Sequence, residues 1–289
     1  MSFAFVRGFK QRGAQDAQTP DWLWALLEDT FGPVWDPCPR NPRFDGLAVD
    51  WKATAHRSGK RQAYVNPEFK NIPAWLNKAL AELEEQGFPS IFLIPFRPHT
   101  KYFAELIVPN AREIRILSRH VAFKGFKEIF PQRLCVVVFG KPQRSRTANL
   151  LDTRPLYIDS AMAGLEWRHV IAHYTKARRS SPIDDPQNVP QIKRQLHAIA
   201  NGNQVKWLRA LQETPHLDIY SMLNERSRTF VRLLLEPNAT AVVFMPPLKM
   251  DGGSRINAFG SWVILGKPKP SAKLSKDYVP LPPTVVWEI

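Results

Sequence analysis

The chain has 289 residues, with 40 Lys and Arg against 26 Asp and Glu, a formal net charge of +14. That length allows one large domain or two modest ones, and 44% hydrophobic with 23% charged residues excludes a wholly disordered chain. Two cysteines exclude a disulfide framework, and 26 prolines against 14 glycines exclude a coiled coil or long-helix bundle.

Met1 to Asp16 lacks the apolar run of a secretory signal, and no stretch approaches the ~20 apolar residues of a membrane span. The expectation is a soluble protein of an intracellular, reducing compartment (cytoplasm, or nucleus in a eukaryote), with no metal site and no membrane partner. Thr19-Pro20-Asp21 predicts a helix start, with Thr19 as cap and Pro20 at the first helical position. Leu23, Leu26 and Leu27 form its apolar stripe, and Gly32-Pro33 ends it. Val34-Trp35 reads as a short strand running into the extended loop Asp36-Pro37-Cys38-Pro39. A second strand, Gln62–Val65, runs into Asn66-Pro67-Glu68-Phe69.

Residues 72–86 predict the best helix, with Pro73 in its first turn, one face made of Trp75, Leu76, Ala79, Leu80 and Leu83, and Gly87 closing it. Ser90–Pro95 is apolar without alternation and predicts a buried strand. Ile114–Leu117 and Leu134–Phe139 predict two more, so the alternation points to an α/β sheet of mostly parallel strands. Gly140–Asn149 is polar and basic, a linker or exposed loop. Further on, 164–176, 190–200 and 205–211 read as helices, Ala239–Met245 and Ser261–Leu265 as strands, and 267–283 as extended chain. Phe139-Gly140-Lys141-Pro142 and Leu265-Gly266-Lys267-Pro268 echo one another, a match short enough to arise by chance. The expected division is a domain over 1–146 and an α+β region over 147–289. That region is left as a target-recognition domain, a protein-partner platform or a degenerate repeat.

The chemistry points to Asn66-Pro67-Glu68-Phe69. The exocyclic amine of adenine is a poor nucleophile because its lone pair is delocalised into the ring. A side-chain amide oxygen and a neighbouring backbone carbonyl, accepting its two N–H bonds, favour a pyramidal nitrogen. An aromatic residue then stacks on the extruded base. Asn66, the Pro67 carbonyl and Phe69 match those roles, although an Asn-Pro step after a strand also serves as a plain turn.

The succession Thr19-Pro20, Phe31-Gly32, Asp36-Pro37-Cys38, Asp45-Gly46-Leu47, Asp50-Trp51, Asn66-Pro67, Trp75 and Lys78-Ala79 resembles the phage-type, Dam-like DNA N6-adenine methyltransferases over roughly residues 19–140. The resemblance implies a compact class I, Rossmann-like sheet with helices on both faces and S-adenosylmethionine as cofactor. It implies catalysis by Asn66, Pro67 and Phe69, and a cofactor side made of Thr19, Pro20, Asp36, Cys38, Asp50, Trp51 and Asn66. Acidic Asp36 at the carboxyl end of a first strand also suits a cofactor's ribose or ammonium on physical grounds. Cys38 reads otherwise as a small buried residue, and Asp50-Trp51 as a helix cap beside a core tryptophan. Glu68, the fourth member of the candidate catalytic set, stands where the family has a second proline, which places a carboxylate beside the amine. That charge either helps bind the amine or the cofactor's sulfonium or marks a decayed site.

From Arg97 to Arg146 there are 11 Lys/Arg and three acids. Arg97, Lys101, Arg119, Lys124, Lys127 and Arg144, interleaved with aromatics, predict a nucleic-acid interface; a solvated basic face has the same pattern. His169 and His173 have the spacing of a zinc pair but no third ligand nearby, so no metal is expected. The expected function is methyl transfer to adenine N6 in DNA before RNA. The alternatives are an RNA adenine methyltransferase and a catalytically inactive nucleic-acid-binding or complex subunit that keeps the fold.

Overall fold

A computed structural model describes residues 18–147, 149–159, 196–199, 218–221, 228–235, 241–245, 261–265 and 278–289. The expected helices over 164–176 and 205–211 lie outside them. The chain divides into two units. The first is Met1–Phe96, Pro109–Leu150 and Trp287–Ile289, and the second is Arg97–Val108 with Leu151–Val286.

Helix α1, Asp21–Phe31, ends at Gly32, whose φ of 94° is open only to glycine without strain. Its start differs from expectation: Pro20 occupies the cap position with no side-chain cap, and Thr19 turns its hydroxyl to Tyr64 instead, at 2.6 Å. Helix α2, Trp51–Arg57, is capped by Asp50, whose side chain accepts from Ala53 N–H at 2.7 Å. Strand β1, Ala63–Val65, leads to α3, Ile72–Gln86, closed by left-handed Gly87 as expected. Strand β2, Ser90–Pro95, is buried throughout. A π-helical turn, Phe103–Ile107, precedes β3, Ala111–Leu117, and β4, Leu134–Phe139, follows.

These strands belong to a six-stranded sheet of order β1-β2-β4-β3-β12-β5, where β5 is Leu150–Leu151 and β12 is Thr284–Trp287. The expected mostly parallel sheet is in fact mixed. Trp35 bridges Ala63 in parallel and β1 pairs β2 in parallel, whereas β4 is antiparallel to both β2 and β3. The cause is the connection over 118–133. It contains no helix to carry the chain back over the sheet, so β4 returns in the opposite sense, between β2 and β3.

The basic segment after β4 is no linker. Arg144 N–H donates to Phe31 O at 2.9 Å and Arg146 N–H to Thr30 O at 3.2 Å, which satisfies the last carbonyls of α1. Buried Gln62 ties the same corner: its Nε2 donates to Phe31 O (2.8 Å) and Gly32 O (3.0 Å), and its Oε1 accepts from Gln143 N–H (3.0 Å). Arg115, fully buried on β3, is charge-paired with Glu113 at 2.8 Å and lies 4.6 Å from the Phe31 ring centre and 5.5 Å from that of Trp287.

A second six-stranded sheet has the order β11-β6-β9-β10-β8-β7. Its strands are β6 (Leu156–Asp159), β7 (Leu196–Ile199), β8 (Asp218–Ser221), β9 (Ala241–Met245), β10 (Ser261–Leu265) and β11 (Tyr278–Pro280), and helix α4 is Arg228–Leu234. The helix expected over 190–200 is corrected here: Leu196–Ile199 pairs in parallel with Asp218–Ser221, and strand pairing overrides a helical composition. The strands expected near 241 and 261 are present and form part of this separate sheet. No helix among the described residues is long and apolar enough to cross a membrane.

Candidate functional site

Trp35 and β1 lie side by side and point the same way, so the residues after them, Asp36 and Asn66, emerge at one edge of the sheet. Both line a cavity of about 840 Å³. Thr19 and Trp24 from the start of α1 line it too, as do Cys38, Arg40, Phe44 and Gly46 from the proline-rich loop, Glu68 after β1, Trp75 on α3, and Lys124.

Two backbone connections hold the loops together. Asp36 Oδ1 accepts from Cys38 N–H at 2.8 Å, folding the Asp-Pro-Cys segment into a turn, and Asn66 N–H reaches the Cys38 sulfur. Gly46 presses against the same turn. A Cβ there would lie 1.9 Å from Pro37 O and 2.8 Å from the Trp75 ring, so only glycine lets the two segments meet. From behind, Trp51 Nε1 donates to Gly46 O at 2.7 Å. Trp51 stands 6.2 Å from Trp75 and 6.3 Å from Trp35 between ring centres, an aromatic floor beneath the loop. Glu82, buried on α3, accepts from Trp51 N–H at 3.1 Å and pairs with Lys78 at 2.7 Å, so a helix expected to bury only apolar residues also anchors α2.

The Asn66 amide has an assigned direction. Its Nδ2 donates to Thr19 Oγ1 at 3.4 Å, and that hydroxyl is bonded to Tyr64 Oη at 2.6 Å. Tyr64 and Asn66 are two apart on an extended segment and share a face. Tyr64 is fully buried, and burial holds its phenol well above the usual range, so it remains a hydroxyl. With Nδ2 turned to Thr19, Asn66 Oδ1 points away from it as an acceptor.

Burial pushes the Asp36 carboxyl up to about 6, opposed by the Cys38 N–H bond. Burial, with the Asp36 charge beside it, holds the Cys38 thiol well above its usual range and protonated. A carboxyl raised in the folded state binds its proton more tightly folded than unfolded. Its stabilising contribution is therefore complete at low pH and is lost as pH rises from about 4 to about 6. Asp36→Asn is expected to remove that slope, raising Tm at neutral pH relative to the unsubstituted chain and converging with it near pH 4. Parallel Tm-against-pH curves for the two proteins would contradict this.

Of the residues expected at a site, the structure brings Thr19, Asp36, Cys38, Asn66, Glu68 and Lys124 to the cavity, while Pro20 and Pro67 are buried outside its lining. Asp50 is exposed and caps α2, with its carboxyl held below the usual range by the Ala53 N–H, and Trp51 sits behind the wall. Phe69 packs on Phe130, ring centres 4.9 Å apart, and does not line the cavity. Glu68 lines it instead, with Lys70 Nζ 2.9 Å from Oε2. Lys124 pairs with Asp21 at the cavity, and Lys124 N–H donates to Gln18 O at 2.9 Å. Arg119, Lys127 and Arg144 are exposed and outside the lining. Arg97 and Lys101 belong to the second unit, where Lys101 is 3.6 Å from Glu105. Among the described residues no group of His, Cys, Asp and Glu could hold a metal.

Trp24, Phe44 and Arg40 line the cavity without having been expected there, and Tyr64 stands behind Asn66. The alternation along β1 was a usable signal for Tyr64, because it shares the face of Asn66 two positions on. No family model, curated protein or solved structure matches the chain.

Proposed function

We propose that this protein is an S-adenosylmethionine-dependent methyltransferase acting on the N6 amine of adenine in nucleic acid, DNA before RNA. The observation that carries the reading is the delivery of Asp36 and Asn66 into one cavity from the carboxyl ends of neighbouring parallel runs, the place where open α/β sheets bind ligands. Trp35, β1, β2 and β3 share one direction, and β4 runs against them between β2 and β3, so the cavity stands at the carboxyl ends of the parallel runs of a mixed sheet.

The residues present fit the cofactor. The cavity volume, about 840 Å³, is within the range of small-molecule sites, and the aromatic side chains Trp24, Phe44 and Trp75 line it, which suits an adenine ring. Gly46 lets the Asp36 turn close against the wall that carries Trp75, and Asp36 supplies a carboxylate for a cation. S-adenosylmethionine, when bound, supplies a methyl group carried on a sulfonium. In this reading Asn66 Oδ1 accepts an amine hydrogen and helps aim the nitrogen's lone pair, whereas Pro67, buried outside the lining, is not placed to share that role. Glu68 adds an acceptor at the wall, and Arg40 with Lys124 supplies positive charge for the phosphate backbone.

Titration calorimetry with S-adenosylmethionine, followed by labelled-methyl transfer to single- and double-stranded DNA and RNA, tests the proposal. Binding and transfer to adenine are expected, and no binding overturns it. Binding without transfer on any substrate selects the second reading, a non-catalytic nucleic-acid-binding protein. The packing of Phe69 on Phe130, away from the cavity lining, is the observation that favours that second reading.

A further inference from the structure

The two sheets share one plan. Read from the other edge, the second is β7-β8-β10-β9-β6-β11, and the first is β1-β2-β4-β3-β12-β5: adding six to a strand number in the first, or subtracting six for β12, gives the second. The senses agree, since β7 is parallel to β8 while β10 is antiparallel to both β8 and β9. The registers agree residue by residue. Ile114, Arg115 and Ile116 face Val137, Val136 and Cys135, and Val242, Val243 and Phe244 face Ile264, Val263 and Trp262. Those partners are displaced by 128 positions on one strand and 127 on the other. Phe92, Leu93 and Ile94 face Val137, Val136 and Cys135, and Ile219, Tyr220 and Ser221 face Ile264, Val263 and Trp262, again displaced by 127.

The sequence carries the same displacement. Phe103-Ala104-Glu105-Leu106-Ile107 leads to Pro109-Asn110-Ala111, and Phe230-Val231-Arg232-Leu233-Leu234 leads to Pro237-Asn238-Ala239. Phe103 and Ile107 are fully buried, and so are their counterparts Phe230 and Leu234. The Gly-Lys-Pro after β4 and its echo after β10 stand at matching ends of matching strands, displaced by 126 and so one residue out of the strand register. Tyr64 faces Ile91 as Leu196 faces Asp218, which sets the displacement of β1 at 132 and also aligns Trp75-Leu76 with Trp207-Leu208.

That register assigns counterparts to the site. Asn66 corresponds to Ala198 and Glu68 to Ala200, side chains that accept no hydrogen bond. Within the helix itself the second copy exchanges an acid for a base. Lys101 and Glu105 form an ion pair one helical turn apart, and their counterparts are Arg228 and Arg232, four apart on α4 with Arg232 exposed. The exchange puts a cation where the first copy has an anion, at an exposed position of a chain that carries a net +14.

We propose that the second sheet and α4 are a duplicated, catalytically silent copy of the first, retained to grip a nucleic-acid backbone. The silent-copy part rests on the function proposed above, whereas the backbone-binding part does not. Arg232→Glu restores the cation-anion pattern of the first copy, so the full-length variant is expected to fold with unchanged or higher Tm. Its binding to fluorescein-labelled duplex DNA, followed by anisotropy over a salt series, should weaken several-fold, with a log–log salt slope shallower by about 1–2. Arg232→Gln should flatten the slope by about 1 and serves if the glutamate variant fails to fold. An unchanged slope in the folded variant overturns the backbone-binding role. Calorimetry on the unsubstituted chain should give one S-adenosylmethionine per chain. Two per chain overturns the silent copy, and none overturns the proposed function while the DNA series still decides the second copy's role.

Discussion

Gly46→Ala is expected to abolish S-adenosylmethionine binding in a chain that still folds. The added methyl would overlap Pro37 O at 1.9 Å, a backbone atom with no flexible end to swing aside. Retreat in the other direction is blocked, because Trp51 Nε1 holds the Gly46 carbonyl at 2.7 Å and Trp51 is itself fully buried. The loop carrying Asp36 and Cys38 must therefore move, and with it the turn that meets Asn66 N–H. Overpacking of this kind costs about 1–3 kcal/mol, a small part of a two-unit chain's stability. The expected result is a modestly lowered urea midpoint together with no calorimetric signal for the cofactor. Unchanged affinity would show that the Asp36 turn does not form the cofactor's wall.

Asn66→Ala should lose methyl transfer by about 10²–10³-fold, the usual cost of deleting one preorganised polar group at a reacting centre. Affinity for S-adenosylmethionine should remain, since Asp36 and the aromatic faces are untouched. The Thr19–Tyr64 contact adds a finer expectation. An amide works only with its oxygen inward, whereas a carboxylate presents oxygen either way. Tyr64→Phe should therefore lower kcat about tenfold in the Asn66 protein, with donor KM little changed. It should have little effect in an Asn66→Asp background. An equal loss in both backgrounds would mean that Tyr64 serves the fold and does not orient the amide.

What was legible in the sequence was whatever depends on local pattern. The α3 stripe with its proline start and glycine stop, the apolar runs of β2 and β4, and the Asp36 and Asn66 loops all follow from spacing and turn chemistry. What was hidden depends on partners far along the chain. The reversal of β4 is decided by a connection without a helix, and the strand at Leu196–Ile199 by pairing with Asp218–Ser221. Lys78 stands four positions before Glu82 and is a local signal for their pairing, whereas the Trp51 N–H that Glu82 accepts lies 31 residues away and leaves no trace in the helix's own pattern. Phe69 carried the expected stacking role by position, yet Phe130 offers it an aromatic partner on the core side. The echo of Gly-Lys-Pro was visible but too short to weigh until the registers of two sheets agreed around it.

Trp287 gives the first unit an unusual dependence on the order of synthesis. It is 1% exposed, its ring meets Phe31 edge-on with centres 6.0 Å apart, and its carbonyl accepts from Ser118 N–H at 2.9 Å. Between Leu150 and this residue the ribosome must make the 136 residues 151–286, all assigned to the other unit. During that interval Phe31 and the buried Arg115 guanidinium lack one of their walls, with apolar surface and a charge both exposed to premature contacts. The first half of the chain therefore does not mature on the ribosome as an independent bead. It waits, open along one flank, for a tryptophan delivered only after the second half has been made.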